Sequence, residues 1–359
     1  MLDAKHKGSY SRAMNRLDKK ARAQILHLLC EGQSIRAVTR ITGASKNTVA
    51  KLLLDVGRAC SAYQDRVFRN LNSKRVQVDE IWTFTYAKQA NVPNIKAAPQ
   101  HAGDTWTWTA LDADTKLLIS WSVGDRSTET AIGFLDEVRN RLAGRFQLTS
   151  DGYRPYLEAV ATVFGNEVDY SQLVKLYGPA PEGERRYSPP VCVGARKHKV
   201  IGNPDPKHVS TSYAERHNLT MRMHMRRFTR LTNAFSKKVE SHIAAVSLHS
   251  MYYNFIRVHK TLKVSPAMAA GVTDRLWEIS DLVEMLEAWE TKEKRDAKPI
   301  FEILEWKIGG GFYVKATLPN SIPENITGFK SENEAIGWVR NDSAAWLRAR
   351  RSALEKNVG

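Results

Sequence analysis

The stretch Val76-Gln77-Val78-Asp79-Glu80-Ile81-Trp82 decides the fold. Its β-branched and aromatic residues predict a strand that continues to Tyr86. It brings one carboxylate, Asp79, into an apolar setting. Alternation along a strand sends Glu80 to the opposite face, so Asp79 and Glu80 cannot share a role.

Residues 87–103 hold two Pro, two Asn and a Gly and read as a loop. Trp106 to Leu111 alternates aromatic residues with Thr, Asp112 to Lys116 is a polar turn, and Leu117 to Val123 is a third strand. Together the three strands predict an antiparallel meander. Thr128 caps a helix to about Leu142, with Ile132, Leu135 and Val138 inward. Phe146 to Thr149 is a short apolar strand leading to Ser150-Asp151-Gly152. Arg154 to Phe164 is helical, and Val168 to Tyr170 reads as a short strand. This is the element order of a ribonuclease-H-like α/β fold. There the first strand and the end of the fourth lie side by side, so Asp79 and Asp151 would project into one cleft.

A third carboxylate, Glu215, falls in the first turn of a helix starting at Ser212. Arg222 (i+7) and Arg226 (i+11) share its helical face, and Arg216 and Arg227 add positive charge. Clustered carboxylates suit Mg²⁺, which wants hard oxygen ligands and keeps some of its waters. Two such ions stabilise the attacking and leaving oxygens of a phosphoryl displacement. Without a cation, three nearby acids raise one another's pKa. Each acid alone also has an ordinary reading: Asp151 as a turn residue, Glu215 as a helix-capping residue. Asp112 and Asp114 read as turn residues. A lone His such as His217 or His224 is more often structural than DNA-contacting, and Asn218 beside it is a further candidate contact.

The chain has 359 residues, 54 Lys and Arg against 38 Asp and Glu, and a net charge of +16. Such an imbalance favours a polyanionic partner. Residues 1–75 carry 16 Lys and Arg against 5 Asp and Glu. There Ala21, Ile25, Leu28 and Leu29 predict a helix over about 17–31, ended by Gly32. Ser34 caps a second helix, and Gly43 makes a turn. Ser45 caps a third helix, which ends at Gly57, and residues 58–75 continue as a helix or a linker into the next domain. This is a helix-turn-helix pattern, with Lys46, Asn47, Thr48 and Lys51 on the exposed face of its recognition helix. The plainer alternative is a small helical bundle with solvated basic faces. Cys30, Cys60 and Cys192 are odd in number and far apart, which argues against disulfides and zinc ribbons and for a reducing cytosol. No run is apolar enough to span a bilayer, and the first residues lack a signal-peptide core.

Residues 178–206 hold six Pro and the basic run Arg196-Lys197-His198-Lys199, and read as a loop. It is either a stretch passing near nucleic acid or a solvated surface loop. Phe235 to Val258 reads as one long apolar-periodic helix behind the sheet. Leu276 to Glu290 is an amphipathic acidic helix, followed by a charged linker. Phe301 to Trp306, Gly309-Gly310-Gly311 and Phe312 to Leu318 read as a hairpin, and Ser331 to Arg348 as one or two helices. That gives four segments. They are a helix-turn-helix DNA-binding domain (1–75), a catalytic domain (76–275), an acidic helix and linker (276–298), and a small α+β module without recognisable chemistry (299–359).

Val78-Asp79-Glu80, Thr149-Ser150-Asp151-Gly152 and Ala214-Glu215-Arg216-His217-Asn218 follow one another in this order after a helix-turn-helix. The set resembles the DDE transposases of bacterial insertion sequences, most nearly the IS1-type family. Tyr253-Asn254-Phe255-Ile256-Arg257-Val258-His259-Lys260-Thr261-Leu262 with Ser265-Pro266-Ala267 resembles the tail of many transposase catalytic domains. The likeness covers about residues 17–275. It implies that Asp79 and Asp151 are the two catalytic aspartates and Glu215 the glutamate. Together they would hold two Mg²⁺ ions, with Mn²⁺ able to substitute. The implied partner is double-stranded DNA: the terminal inverted repeats, where cleavage exposes a 3′-OH, and the target DNA that this 3′-OH attacks. It also implies a homodimer or larger assembly and a location in the bacterial nucleoid of the cytoplasm. Lys46, Asn47, Thr48, Lys51, Arg196, Lys197, Arg216, Arg222, Arg226 and Arg227 would contact DNA. Some IS1-type members begin with a cysteine-rich zinc-binding module, and this chain has none. Two other readings stay open: a non-catalytic DNA-binding regulator or domesticated transposase, and a metal-dependent nuclease that cuts without strand transfer.

Overall fold

The computed structural model describes residues 17–178, 191–229, 233–295, 299–306, 310–318 and 323–356; side chains are described except at 293–295 and 351–356. Three helices come first: α1 (Lys19–Cys30), α2 (Ile35–Thr42) and α3 (Lys46–Val67). Asp18, Ser34 and Ser45 cap them through their side-chain oxygens. Gly43 closes α2 in the left-handed region, at φ 74°, where a residue without Cβ meets no steric penalty.

A six-stranded sheet follows. Its strands are β1 (Arg75–Thr85), β2 (Gly103–Asp112), β3 (Leu118–Gly124), β4 (Gln147–Asp151), β5 (Asp169–Tyr177) and β6 (Cys192–Ile201), in the order β3-β2-β1-β4-β5-β6. β1, β2 and β3 form the antiparallel meander, with Val76 opposite Asp112 and Thr85 opposite Gly103. β4 then pairs in parallel with β1, placing Gln77 beside Thr149. β5 pairs in parallel with β4, placing Asp151 beside Leu173. A meander followed by two strands parallel to its first is the ribonuclease-H-like arrangement. β6 adds an antiparallel edge.

The two faces of β1 carry different helices. On the side of Val78 and Glu80 lie α4 (Thr128–Arg141) and α5 (Pro155–Phe164), packed around buried Trp108, Phe134 and Tyr156. The side of Gln77, Asp79 and Ile81 is covered by α6 (Ser212–His224) and α7 (Val239–Met251). There Ile81 packs with Met221, Met225, Phe228 and Val246. The buried residues of α1–α3 belong to the same continuous core as Val76, Val78 and Leu148.

The structure corrects several sequence expectations. Helix α3 does not end at Gly57 but runs on to Val67. A mid-helix glycine costs about 1 kcal/mol relative to alanine. Here it permits a close crossing, because a Cβ on Gly57 would lie 2.5 Å from the Cα of Ala244 on α7. The strand expected at 168–170 extends to Tyr177, and residues 192–201 are strand β6 rather than loop. Residues 179–190, with four of the six prolines of that stretch, lie outside the described residues. The long helix expected over 235–258 is α7 followed by a π-helical turn at Tyr252–Ile256. That turn lets buried Asn254 pair with both backbone groups of Leu118, accepting from its N–H at 2.9 Å and donating to its carbonyl at 3.0 Å. A side-chain amide thus acts as a strand partner at the β3 edge.

Past a short helix, α8 (Pro266–Ala269), the acidic helix is α9 (Ile279–Arg295). It buries Leu282, Val283 and Leu286, and pairs Glu290 with Arg22 and Glu287 with Lys19, each at 3.1 Å. Its negative face is therefore partly spent on α1. The C-terminal part has a third strand that sequence reading missed. β7 (Ile300–Glu305), β8 (Phe312–Thr317) and β9 (Glu324–Phe329) form an antiparallel sheet with α10 (Glu332–Asn341) and α11 (Ser343–Lys356). β9 has Asn, Thr and Gly in its centre, so it lacks the apolar alternation of its neighbours. Gly309 of the expected turn lies outside the described residues. Among the described residues, no helix is long and apolar enough to cross a membrane.

The α3–α7 crossing is directly testable. Gly57→Ala is expected to lower stability by about 1–3 kcal/mol, the usual cost of overpacking. Urea unfolding followed by circular dichroism measures it, and an unchanged midpoint would show that the helices are not in contact at this point.

Candidate active site

Asp79 lies on the third residue of β1 after the one paired with Leu148, with its side chain toward α6. Strand pairing carries the same face across to β4 and β5, because residues side by side in paired strands point the same way. Gln77 sits beside Thr149, and Asp151, two residues on, sits beside Leu173. Asp79, Asp151 and Lys175 therefore share one face. Helix α6 is fixed above them by an unusual cap. Thr211 makes no side-chain cap; instead Gln77 Oε1 accepts from the N–H of Tyr213 at 2.8 Å and of Ala214 at 3.1 Å. Two of the four orphan donors of the helix start are thus satisfied from the strand below.

The three acids have different surroundings. Asp79 Oδ1 accepts from the Glu80 N–H at 2.9 Å, and Oδ2 accepts from Asn218 Nδ2 at 2.8 Å. Burial pushes its pKa up to about 7, helped by the charges of Glu80, Asp151 and Glu215. Asp151 uses Oδ1 to accept the Tyr153 N–H at 2.9 Å, so it serves a turn as well as facing the cleft. Glu215 accepts from Thr211 Oγ1 through Oε1, and its Oε2 pairs with Lys175 Nζ at 2.6 Å. Burial works against the Lys175 charge, but the Glu215 hydrogen bond and the nearby carboxylates, Asp79 included, outweigh it and raise its pKa.

Glu80, on the other face, is neutralised internally. Arg126 donates to its Oε1 from Nε at 2.9 Å and also from Nη2, and Tyr156 donates to Oε2 at 3.2 Å. The Arg126 guanidinium lies 4.5 Å from the Trp106 ring centre and 4.0 Å from that of Tyr153.

The donor set of Asp79, Asp151 and Glu215 consists of carboxylate oxygens only, which suits a hard divalent cation. The pKa of Asp79 is raised by burial first and by the neighbouring acids second, and buried Asn218 Oδ1 beside it has no hydrogen-bond partner among the described residues. Among the described residues, however, no three His, Cys, Asp or Glu side chains stand together as a ready set of ligands. Glu215 is turned to Lys175 instead.

The candidate DNA contacts are spread more widely. Lys46, Asn47 and Lys51 are exposed at the start of α3, with Lys51 paired to Asp55, and Thr48 bonds back to Ser45. Arg196 and Lys197 lie exposed on β6, in register with Val174 and Leu173, and Lys197 donates to the Pro206 carbonyl. Arg216 is exposed on α6, and Arg222 is half-buried further along it. Arg226 is exposed but not on that helix: α6 stops at His224 and Arg226–Phe228 form a 3₁₀ turn, so the expected i+11 relation to Glu215 does not hold. Arg227 is turned into the protein. Burial lowers its pKa to about 10, and it donates to Ser236 Oγ. Buried His217 and Asn218 face inward as well, Asn218 onto Asp79 rather than DNA.

Sequence reading missed Lys175. Ending the fifth strand at Tyr170 removed it from view; continuing the period-two pattern through Ser171, Leu173 and Lys175 would have placed it on the acid-bearing face.

No protein-family model and no curated protein matches the chain. Among solved structures, a piggyBac transposase synaptic complex with hairpin DNA overlays at a TM-score of 0.38 and 9% identity, over 82% of this chain and 76% of that one. A simian T-cell lymphotropic virus intasome in complex with the PP2A regulatory subunit B56 gamma overlays at 0.33 and 11%, over 86% and 99%. A pre-cleavage Mos1 transpososome overlays at 0.20 and 10%, over 70% and 81%. At these scores the overlap is loose, and the fold assignment rests on the strand order of the sheet.

Two outcomes follow from this geometry. Gln77→Ala leaves two helix-start donors without their acceptor and is expected to cost about 1–2 kcal/mol by denaturant unfolding. If stability is unchanged, Gln77 does not hold α6. The second outcome concerns pH. A carboxyl whose folded pKa lies above its unfolded value adds no penalty below the unfolded pKa, and its full penalty appears as pH rises through the folded one. With chelator present, Asp79→Asn should therefore raise the melting temperature at pH 8, by an amount equivalent to roughly 2–4 kcal/mol. The gain should shrink toward zero near pH 4. A gain independent of pH would remove the electrostatic explanation.

Proposed function

We propose that the chain is a DDE transposase of the insertion-sequence kind, nearest the IS1-type, which cleaves the terminal inverted repeats of its element and transfers the strand ends to target DNA. The observation that carries this reading is that Asp79 and Asp151 share one face of the paired strands β1 and β4, with α6, which carries Glu215, fixed above that face by Gln77.

In this reading Asp79, Asp151 and Glu215 would hold two Mg²⁺ ions, or Mn²⁺ in their place, which would supply Lewis-acid stabilisation to phosphodiester exchange. The chain's own residues position and screen. Gln77 fixes the height of α6 over β1, and Asn218 orients the Asp79 carboxylate. Exposed Arg216 and Arg226 meet the phosphate backbone beside the carboxylates. The N-terminal segment 1–75 acts as the helix-turn-helix, with Lys46, Asn47, Thr48 and Lys51 presented to a major groove. Arg196 and Lys197 on the edge strand extend the basic surface. Because α3 starts with the reading residues and its later turns cross α7, the two functions are joined by one helix. Joining two DNA ends calls for a homodimer or larger assembly, acting in the bacterial nucleoid.

The test is a cleavage assay on duplexes carrying the element's terminal repeats with Mg²⁺. Wild type should give nicked ends and joined product, and Asp151→Asn should lose both by at least about a hundredfold, as loss of transition-state charge stabilisation does. Equal activity in the two would reject the catalytic assignment. Cut ends without any joined product would make the chain a metal-dependent nuclease.

A further inference from the structure

Lys175 sits directly on a candidate ligand, Glu215. It lies on β5 two residues beyond the position paired with Asp151, on the face that carries Asp79 and Asp151. Its Nζ is 2.6 Å from Glu215 Oε2, and Thr211 engages the other Glu215 oxygen. Both oxygens of Glu215 are therefore occupied by protein donors. The pair is not sealed in, since the two side chains are 31% and 40% exposed. An ammonium has three donors and no acceptor, so it satisfies a carboxylate but cannot join it in binding a metal ion. Lys175 and a divalent cation thus compete for the same oxygens.

We propose that Lys175 is an internal counter-ion that occupies the carboxylate site until DNA arrives, and that a DNA phosphate draws its ammonium off Glu215 and so frees that carboxylate for ion binding. This deepens the transposase reading and rests on it. The physical reason is charge balance. The charges of Asp151 and Glu215 both reach Asp79, and Lys175, paired with Glu215, offsets part of them. The long, flexible lysine stem lets the charge move without disturbing β5. The phosphate backbone is the partner because an anion offers the ammonium both acceptor oxygens and a counter-charge, where water offers acceptors alone. Metal binding and DNA binding then strengthen each other, and by linkage the factor is the same in both directions.

The experiment is a Mn²⁺ titration followed by electron paramagnetic resonance, on the full-length chain, with and without a catalytically inert DNA duplex. For wild type, duplex is expected to tighten Mn²⁺ binding by about tenfold, within the usual range of coupling between sites. Lys175→Met should bind Mn²⁺ about tenfold more tightly than wild type without DNA, and duplex should add little more. Lys175→Arg, which keeps the charge, should behave as wild type. Should Lys175→Met fail to fold, Lys175→Gln removes the same charge. Asp151→Asn separates the two levels of the argument. If Mn²⁺ uptake is lost in Asp151→Asn but equal in wild type and Lys175→Met, the counter-ion role is wrong and the carboxylate site stands. If uptake is indifferent to Asp151→Asn, the metal-site reading falls and the role of Lys175 with it.

Discussion

The Gln77 side-chain carbonyl, accepting from the N–H groups of Tyr213 and Ala214, is the interaction on which the site depends. Asp79 and Glu215 come from segments 136 residues apart and would have no fixed relation without a tie between strand and helix. Gln77 points the same way as Asp79 because it is two residues before it on β1, and it reaches the turn of α6 that contains Glu215. One amide oxygen thus sets both the height and the rotation of the helix. Below it, Ile81 packs on Met221 and Met225, so the same β1 face that binds the helix start also receives its later turns. Polar and apolar contacts agree on one placement, which is the condition for a unique packing.

A second tie works at the other end of the sheet. Asn254 serves as partner to both backbone groups of Leu118, holding the π-helical turn after α7 against the edge strand β3. Helix α7 is then trapped between the sheet, which His242 reaches at Thr107, and α3, which crosses it at Gly57. The three N-terminal helices are consequently not hung on a linker. Their apolar residues continue the core of the sheet, and ion pairs from α9 clamp α1. Whatever the exposed start of α3 contacts is held in fixed relation to the carboxylates.

The strands and helices of residues 76–164 were legible in the sequence because their periodicity is strong and their ends carry caps or turns. Asp79, Asp151 and Glu215 each have an ordinary reading in their own setting, and only their order along the chain, with the resemblance it carries, singled them out as candidates. What was not legible came from tertiary contact. Gly57 looks like a helix stop, and only the approach of Ala244 explains why the helix runs through it. Arg227 looks like one more surface cation, and only its bond to Ser236 and its burial show otherwise. β6 is rich in Lys, Arg and His with little alternation, so nothing in its own residues marks it as strand; it is one because β5 offers an open edge.

Asp79 and Glu80 show how the fold separates two adjacent carboxylates. Strand alternation puts them on opposite faces, and each face solves the problem of a buried acid differently. Glu80 receives Arg126, itself held between Trp106 and Tyr153, and a hydroxyl from Tyr156. Burial and the Asp151 charge still raise the pKa of Glu80, with Arg126 and Tyr156 working against them. Asp79 receives a side-chain amide, a backbone N–H and the repulsion of three other acids, while Lys175 pairs with Glu215. A core selected for stability alone would gain by neutralising Asp79 too, since an incompletely paired buried charge is costly. The rigid β1–β2 ladder, paired from Val76 to Thr85, is what allows the unfavourable placement to persist. Of two neighbouring acids, then, one is met inside the fold by an arginine and a tyrosine hydroxyl, the other by an amide and a backbone N–H.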